Sequence, residues 1–413
     1  MVRKRRKLKI GRIIFALLLL GAICYGLYYG GKYAYNKFFD SKDDNHVKKV
    51  INKEPKEKVT EANLIMVGDN LIHSSIYNEA HAYANYNGYD FKPMYSYIKE
   101  IVKDYDIAYY NQETIIGVSD SMAPNDYPTF NSPTEVGDAM IDAGFNLVSL
   151  ATNHTMDSGS RAVENSCEYW KKQEGVLTAG SYCSEEERNE IKIAEVNDIT
   201  YTMLNYTYGT NGIPVPSGKE YYVNVWPMDY NADEGVGFEG YKQQVKEDIE
   251  RVRDKVDVLI VAMHWGVEYT HEPTNYEKEA AEYLASLGVD IIIGTHPHVV
   301  QPVTWIDDTL VIYSLGNFIS AQKINMDYAK MVGLMSSVKI TKTVKGDDVK
   351  ITLSDLNNDL LFTRHNSYHN FKVVPFSSPN IGDYIWDYQR LYDKYSAVIK
   401  NMDDTVPVAA LTN

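Results

Sequence analysis

Six times between residues 62 and 317 a short apolar run, rich in β-branched residues, stops on a polar side chain able to bind a cation. LIMVGD stops at Asp69 and DIAYYNQE at Glu113. NLVSLATNH stops at Asn153 and His154, and VDVLIVAMH at His264. VDIIIGTHPH stops at His296 and His298, and TLVIYSLGN at Asn317. Runs of this length and composition read as buried strands. Between them lie helix-period segments over 93–104, 132–144, 157–172, 240–255 and 274–288. Strand–helix alternation predicts an α/β fold, a parallel or mixed sheet flanked by helices. In such sheets ligands gather where loops leave the carboxyl ends of the strands. That is where all six polar stops fall.

Residues 189–206 predict a hairpin insertion around Asn197-Asp198. Residues 330–355 predict further strands around Lys345-Gly346-Asp347-Asp348. Beyond about 375 the pattern fades into an aromatic, partly helical tail, and no internal repeat is present.

The first twelve residues carry seven basic side chains and no acid, and residues 13–30 carry no charge. An uncharged stretch near the minimum spanning length after a basic run predicts a single transmembrane anchor with its N-terminus cytoplasmic. The expected organisation is a basic cytoplasmic tail (1–12), a transmembrane helix (13–30), a charged stalk (31–60), a main domain (61–375) and a C-terminal tail (376–413). The protein is then a single-pass cell-membrane protein with its main domain extracellular. A cleaved signal peptide is the rival reading, but no convincing small-x-small site follows the apolar core. The chain carries a net charge of −15 despite its basic start. So acidic a body excludes nucleic acid as a partner, since nothing offsets phosphate repulsion. Thirty-four tyrosines suit a surface that contacts a polar polymer, though compositional bias is the simpler account. Cys24 lies in the apolar segment. Cys167 and Cys183 could pair, but their spacing does not demand it.

The polar stops offer imidazole, carboxylate and amide but no thiolate, a donor set that suits manganese, iron or zinc. In Thr295-His296-Pro297-His298 the proline biases His296 toward extended backbone. Residues two apart in an extended chain share a face, so both imidazoles are expected to aim at one site. A polar turn with one buried histidine is the plainer alternative. Asn153 and His154 precede a helix start near Asp157 or Ser158, where the helix end favours an anion. Glu268 either orients an imidazole or is a solvated loop charge.

VGDNLIH (67–73), NQET (111–114), TNHTMDSG (152–159), HWGVEY (264–269), GTHPHVVQP (294–302) and SLGNF (314–318) resemble, in order, the signature blocks of the CapA-like capsule and poly-γ-glutamate biosynthesis proteins (PGA_cap). That family looks like a branch of the calcineurin-like metallophosphatases. The resemblance implies a metallophosphatase-like four-layer α-β-β-α sandwich around two divalent metal ions. It implies Asp69 and His298 on the first metal, Glu113 bridging, and Asn153, His264 and His296 on the second. His154 would be the catalytic acid or charge stabiliser. His73, Trp265, Glu268, Gln301 and Asn317 would support the metals or touch substrate. Two positions depart from the superfamily pattern: Leu71 stands where a histidine is usual, and Thr155 where an acid follows Asn-His. The implied function is capsule or poly-γ-glutamate biosynthesis or export, through metal-dependent hydrolysis of a phosphoester or polymer linkage. The alternative is a non-catalytic accessory with a structural metal site. The implied partners are the membrane and an anionic polymer or its membrane synthase complex.

Overall fold

The computed structural model describes residues 20–21, 23–33, 57–227, 236–323 and 328–412, and the chain divides into two compact units, Met1–Glu54 and Pro55–Asn413. In the first unit residues 23–33 are helical, with Tyr25, Tyr28, Tyr29 and Tyr33 exposed. The basic tail, residues 13–19 and 22 of the expected membrane span, and most of the stalk lie outside the described residues. Among the described residues no helix is long and apolar enough to cross a membrane.

The second unit begins on strand β1 (Lys58–Asn70), so the last stalk positions are already sheet. β1 pairs in parallel with β2 (Ile107–Asn111), which is followed by β3 (Leu147–Ser149) and β4 (Leu177–Ala179), also parallel. On the other side of β1 lie β12 (Val332–Lys345), β13 (Asp348–Asn366) and β14 (His369–Pro375), all antiparallel. The short β11 (Asn317–Ile319) joins the end of β1 and completes an eight-stranded sheet. A second, six-stranded sheet runs β5 (Ala194–Val196), β6 (Ile199–Thr207), β7 (Val258–His264), β8 (Ile291–Thr295), β10 (Thr309–Ile312), β9 (Val303–Ile306).

Period-two alternation explains how the sheets stack. Side chains on a strand point alternately to opposite faces. Leu64, Met66 and Tyr109 of the first sheet share one buried cluster with Met203, Ile260, Ala262 and Ile293 of the second. Their neighbours Ile65, Val67, Ala108 and Tyr110 face the other way, onto helices α1 (Ser74–Tyr83), α2 (Ser96–Val102), α3 (Glu135–Asp142) and α4 (Gly159–Trp170). On the second sheet Val261, Met263 and Ile292 face α6 (Val236–Val252) and α7 (Asn275–Ser286), through Val245, Ile249, Ala281 and Leu284. The result is helix, sheet, sheet, helix in four layers.

The segment after 375 is partly helical, as expected, and packs onto the main domain. Phe376, Ile381, Leu391, Tyr395, Ile399 and Val406 all bury themselves in the inter-sheet cluster, three of them on α8 (Tyr388–Ile399). Its apolar spacing is helical but interrupted by polar loops, which hides it from a run-based reading. The hairpin is present as β5–β6, turning through Asn197 and Asp198, both at positive φ. The short α5 (Glu185–Asn189) ends on the first residue of the span expected to be strand, and strand begins at Ala194. Helix α1 was not anticipated, because its ten residues bury only Ile76 and Ala80.

Registers set the position of the strand ends. Across the first sheet Asp69 lies beside Asn111, Asn111 beside Ser149, and Asp69 beside Asn317. Across the second, Thr207 lies beside His264 and His264 beside Thr295. The backbone before Asp69 is closely packed: a Cβ on Gly68 would lie 1.8 Å from the Gly316 carbonyl oxygen. That same oxygen accepts a hydrogen bond from the Asp69 backbone N–H.

Candidate metal centre

The two rows of strand ends meet. Asn111 Nδ2 donates to Asp69 Oδ1 at 2.9 Å and lies 3.4 Å from His264 Nδ1 of the opposite sheet. Ser149 Oγ donates to Asn111 Oδ1 at 2.7 Å. Asn111 is thus a buried bracket joining the sheets.

Glu113, two residues beyond Asn111, occupies the middle of the cluster and is fully buried. His298 Nε2 lies 3.5 Å from its Oε1 and His264 Nε2 lies 3.8 Å from the same atom. Glu113, His296 and His298 each present a ligand atom within 4.8 Å of the others. Among the described residues neither carboxylate oxygen of Glu113 has a hydrogen-bond partner, and neither has His296 Nδ1. Burial raises the Glu113 carboxyl well above its ordinary pKa, and the negative charges of Asp69, Glu268 and Asp157 raise it further.

Burial favours the neutral form of two of the histidines. Burial first, and neighbouring imidazoles second, push His264 and His296 well below the usual histidine range. His264 Nε2 lies 2.9 Å from Asn153 Oδ1, and its Nδ1 lies 3.0 Å from Thr295 Oγ1. His298 Nδ1 faces two acceptors, Asp69 Oδ2 at 3.2 Å and Asn317 Oδ1 at 3.1 Å. Its Nε2 lies on the other side of the ring, 3.5 Å from Glu113 Oε1 and 3.7 Å from Glu268 Oε1. Asp69 is engaged by Asn111, His298 and, at 3.4 Å, the His296 backbone N–H.

His296 and His298 converge, with ring centroids 5.7 Å apart, but not through extended backbone. Their φ angles are +96° and +59°, so the chain turns sharply through Pro297 rather than running straight. Strained residues of this kind, one on each side of a proline, persist where surrounding contacts over-determine them.

His154 stands beside this cluster. Its Nδ1 lies 2.7 Å from Asp157 Oδ2, and Phe130 meets the ring edge-on at 4.8 Å. Asp157 Oδ2 also accepts from the Phe130 backbone N–H. A cleft of about 930 Å³ opens here, lined by Asn153, His154, Tyr208, Gly266, Tyr269 and His296.

The supporting residues divide. Asn317 touches His298, and Glu268 faces it. His73 reaches no member of the cluster by hydrogen bond. Its Nδ1 accepts from the Ala321 backbone N–H at 3.2 Å and lies at the same distance from the Leu71 carbonyl. Trp265 points away. His264 continues the inner face of β7, so the next residue takes the outer one, and the Trp265 indole donates to the Tyr313 carbonyl among the α6–α7 contacts. Gln301 donates to the Thr270 carbonyl and braces the 266–271 loop from behind. Sequence reasoning missed Asn111, Asp157 and Tyr208. The first two carried a signal, since Asn111 shares the face of Glu113 and Asp157 lies one turn after His154. Tyr208, whose ring centroid is 4.6 Å from that of His296, follows a strand that stops on Thr207 and carried none.

Two sheets stack face to face, and imidazoles and a carboxylate buried where both sets of strands end form a cluster that could hold a metal ion. The chain belongs to the bacterial capsule synthesis protein family PGA_cap, whose model matches residues 63–322. Relatives include the PGA biosynthesis protein CapA of Bacillus subtilis (strain 168), 27% identical over 191 residues, which are 44% of this chain and 44% of that protein. The capsule biosynthesis protein CapA of Bacillus anthracis is 25% identical over 184 residues, 45% of this chain and 42% of that protein. The chain therefore matches less than half the length of either relative. Among solved structures, a 5'-nucleotidase from Candida albicans SC5314 covers 70% of this chain and 50% of its own at 12% identity, with a TM-score of 0.33. GAP50 of Plasmodium covers 86% and 98% at 8% identity, also with a TM-score of 0.33.

Proposed function

We infer that this chain is a membrane-anchored, extracytoplasmic protein of capsule or poly-γ-glutamate assembly whose metallophosphatase-like centre holds two divalent cations and hydrolyses a phosphoester or polymer linkage. The observation that carries this reading is Glu113, buried with neither oxygen hydrogen-bonded among the described residues and with imidazole nitrogens 3.5 and 3.8 Å from Oε1. A buried ionised carboxylate without compensation costs several kcal/mol, of order 3–5 when a pair is broken. A cation is the compensation that this donor set fits. Glu113 would bridge. Asn153, His264 and His296 would hold one ion, and His298, steadied by Asp69 and Asn317, would hold the other.

Such ions supply Lewis acidity and a water nucleophile at neutral pH. The chain's own contribution lies in His154. Asp157 accepts a hydrogen bond from Nδ1 and fixes the ring, so that an imidazolium form would give its Nε2 proton to a leaving group in the cleft and return to the neutral ring. Tyr208 and Tyr269 offer faces on which an extended substrate can lie. Leu71, where the superfamily carries a histidine, favours a second reading, in which an incompletely ligated centre binds polymer or a synthase partner without turnover.

The test is the full-length chain with manganese or zinc, assayed on a phosphodiester and on poly-γ-glutamate. His154→Ala should keep its metal and lose about 10²–10⁴-fold in rate. If His154→Ala restores polymer fully in a deletion strain while His264→Ala does not, the hydrolase reading falls and the accessory reading stands.

A further inference from the structure

We propose that Cys167 and Cys183 are an oxidation site, a dithiol that closes to an intramolecular disulfide by exchange with a disulfide donor and ties α4 to the loop ahead of α5. The site is separate from the candidate metal centre and stands whether or not that centre turns over a substrate.

The fold supplies a pairing that the sequence spacing did not demand. Cys167 lies on the buried face of α4 with Val163, Ser166 and Trp170. Cys183 lies in the loop between β4 and α5, next to the N-cap Ser184. Both are free thiols in this structure, and their sulfurs and a Glu187 carboxylate oxygen lie within 4.8 Å of one another.

The loop that carries Cys183 is fixed. Gly180 turns the chain out of β4 at φ +100°, where a Cβ would lie 2.1 Å from Asn205 Oδ1. The Cys183 backbone N–H donates to Glu187 Oε2 at 3.1 Å, and the Glu187 backbone N–H donates to Ser184 Oγ at 3.2 Å. Rotation about the Cα–Cβ bonds is the movement that brings sulfurs so placed to the roughly 2.0 Å of a disulfide bond.

The surrounding charges favour a covalent link over a metal ion. Glu187 is already paired twice: Lys171 Nζ lies 3.3 Å from Oε2 and Lys192 Nζ 3.3 Å from Oε1. A cation between Glu187 and the thiols would meet two ammonium groups. A developing thiolate is favoured by the same groups.

A donor has a way in. A cavity of about 690 Å³ is lined by Cys167, Trp170, Lys171, Ser181, Glu187 and Lys192. Cys183 is partly exposed, whereas Cys167 is buried and burial raises its thiol above the ordinary pKa. Cys183 therefore reacts first. Its sulfur attacks one sulfur of the donor, the donor S–S bond breaks, and one donor thiol leaves. Cys167 then attacks the Cys183 sulfur and expels the second donor thiol. Two electrons pass from the cysteines to the donor, and both cysteine protons end on the released thiols. Small-molecule disulfides such as glutathione disulfide are donors of this class.

The experiment uses the reduced full-length chain carrying Cys24→Ser, which leaves these two of the three cysteines. It is treated with glutathione disulfide, then denatured for thiol counting and for peptide mass spectrometry without reductant. Both thiols should disappear, and the peptides holding Cys167 and Cys183 should appear linked, two hydrogens lighter than the reduced pair. Cys167→Ala in the same background should stop at a glutathione adduct on Cys183, the product of the first step. Circular dichroism reports that each chain is folded before treatment. Glutathione adducts without the linked peptide, or two unchanged thiols, in the folded chain overturn the assignment. So does one equivalent of zinc(II) that survives gel filtration in His264→Ala and is lost in Cys183→Ser, which makes the group a metal site instead.

Discussion

His154 Nδ1 lies 2.7 Å from Asp157 Oδ2, with both side chains almost wholly buried. The pair spans one turn of chain at the entry to α4, and Phe130 closes the third side of the imidazole. A carboxylate acceptor fixes both the tautomer and the plane of the ring. Asp157→Asn keeps the shape but offers an amide of either orientation. Its turnover should fall by about 10²-fold or more, with metal content and melting temperature close to wild type. Metal analysis beside steady-state kinetics checks this. Loss of metal together with activity would make Asp157 a support of the centre instead of a partner of His154.

The centre was legible in the sequence to the extent that strand ends are legible. A run of apolar residues that stops on Asp, Glu or His marks a carboxyl edge whatever the sheet order. What the runs could not show was which faces meet. The opposite direction of Trp265 follows from counting outward from His264 in steps of one. The turn at His296 does not follow from any count, because two positive φ angles around Pro297 are a tertiary outcome that local preference opposes. The residues after 375 read only as a partly helical tail for a different reason. Their apolar side chains are spread over loops and one helix, so the burial of Tyr395 and Ile399 in the inter-sheet cluster leaves no run to read.

His73 gives a pH dependence with a definite sign. Burial lowers its pKa from 6.5 to about 4, and its Nδ1 accepts the Ala321 backbone N–H only while unprotonated. The unfolded chain takes up this proton near 6.5 and the folded chain near 4. The stability it contributes is therefore complete above 6.5 and is lost as pH falls from 6.5 toward 4. His73→Gln should flatten that part of the acid-denaturation curve of metal-free protein, followed by circular dichroism. An unchanged slope between those pH values would show that His73 is not buried as described.

The anchor expectation is tested by fractionation. Seven basic residues ahead of an uncharged stretch should keep the full chain with membranes through high-salt and carbonate washes. Protease added outside cells with a permeable wall should digest the main domain. Release by salt alone would leave a surface charge contact in place of an anchor, and protection of the domain would reverse the orientation.

Glu113→Gln separates stability from metal binding, because the two should move in opposite directions. In metal-free protein the wild-type carboxyl is held uncharged or unsatisfied by burial and by Asp69, Glu268 and Asp157. A group with its folded pKa raised in this way contributes stability below its unfolded value near 4.5. That contribution is lost as pH rises toward the folded value. At neutral pH the apo protein therefore carries a penalty, of about 1–3 kcal/mol for an unsatisfied buried group. The amide carries no charge, so Glu113→Gln should melt higher than wild type when both are stripped with chelator. When manganese or zinc is added, wild type should gain stability by mass action and release protons on binding. The variant should gain little, having lost the bridging carboxylate. Scanning calorimetry with and without metal reads both effects on one sample. A variant less stable than wild type without metal would mean that the Glu113 carboxylate already has a protein partner, and the argument for a cation between the sheets would lose its footing.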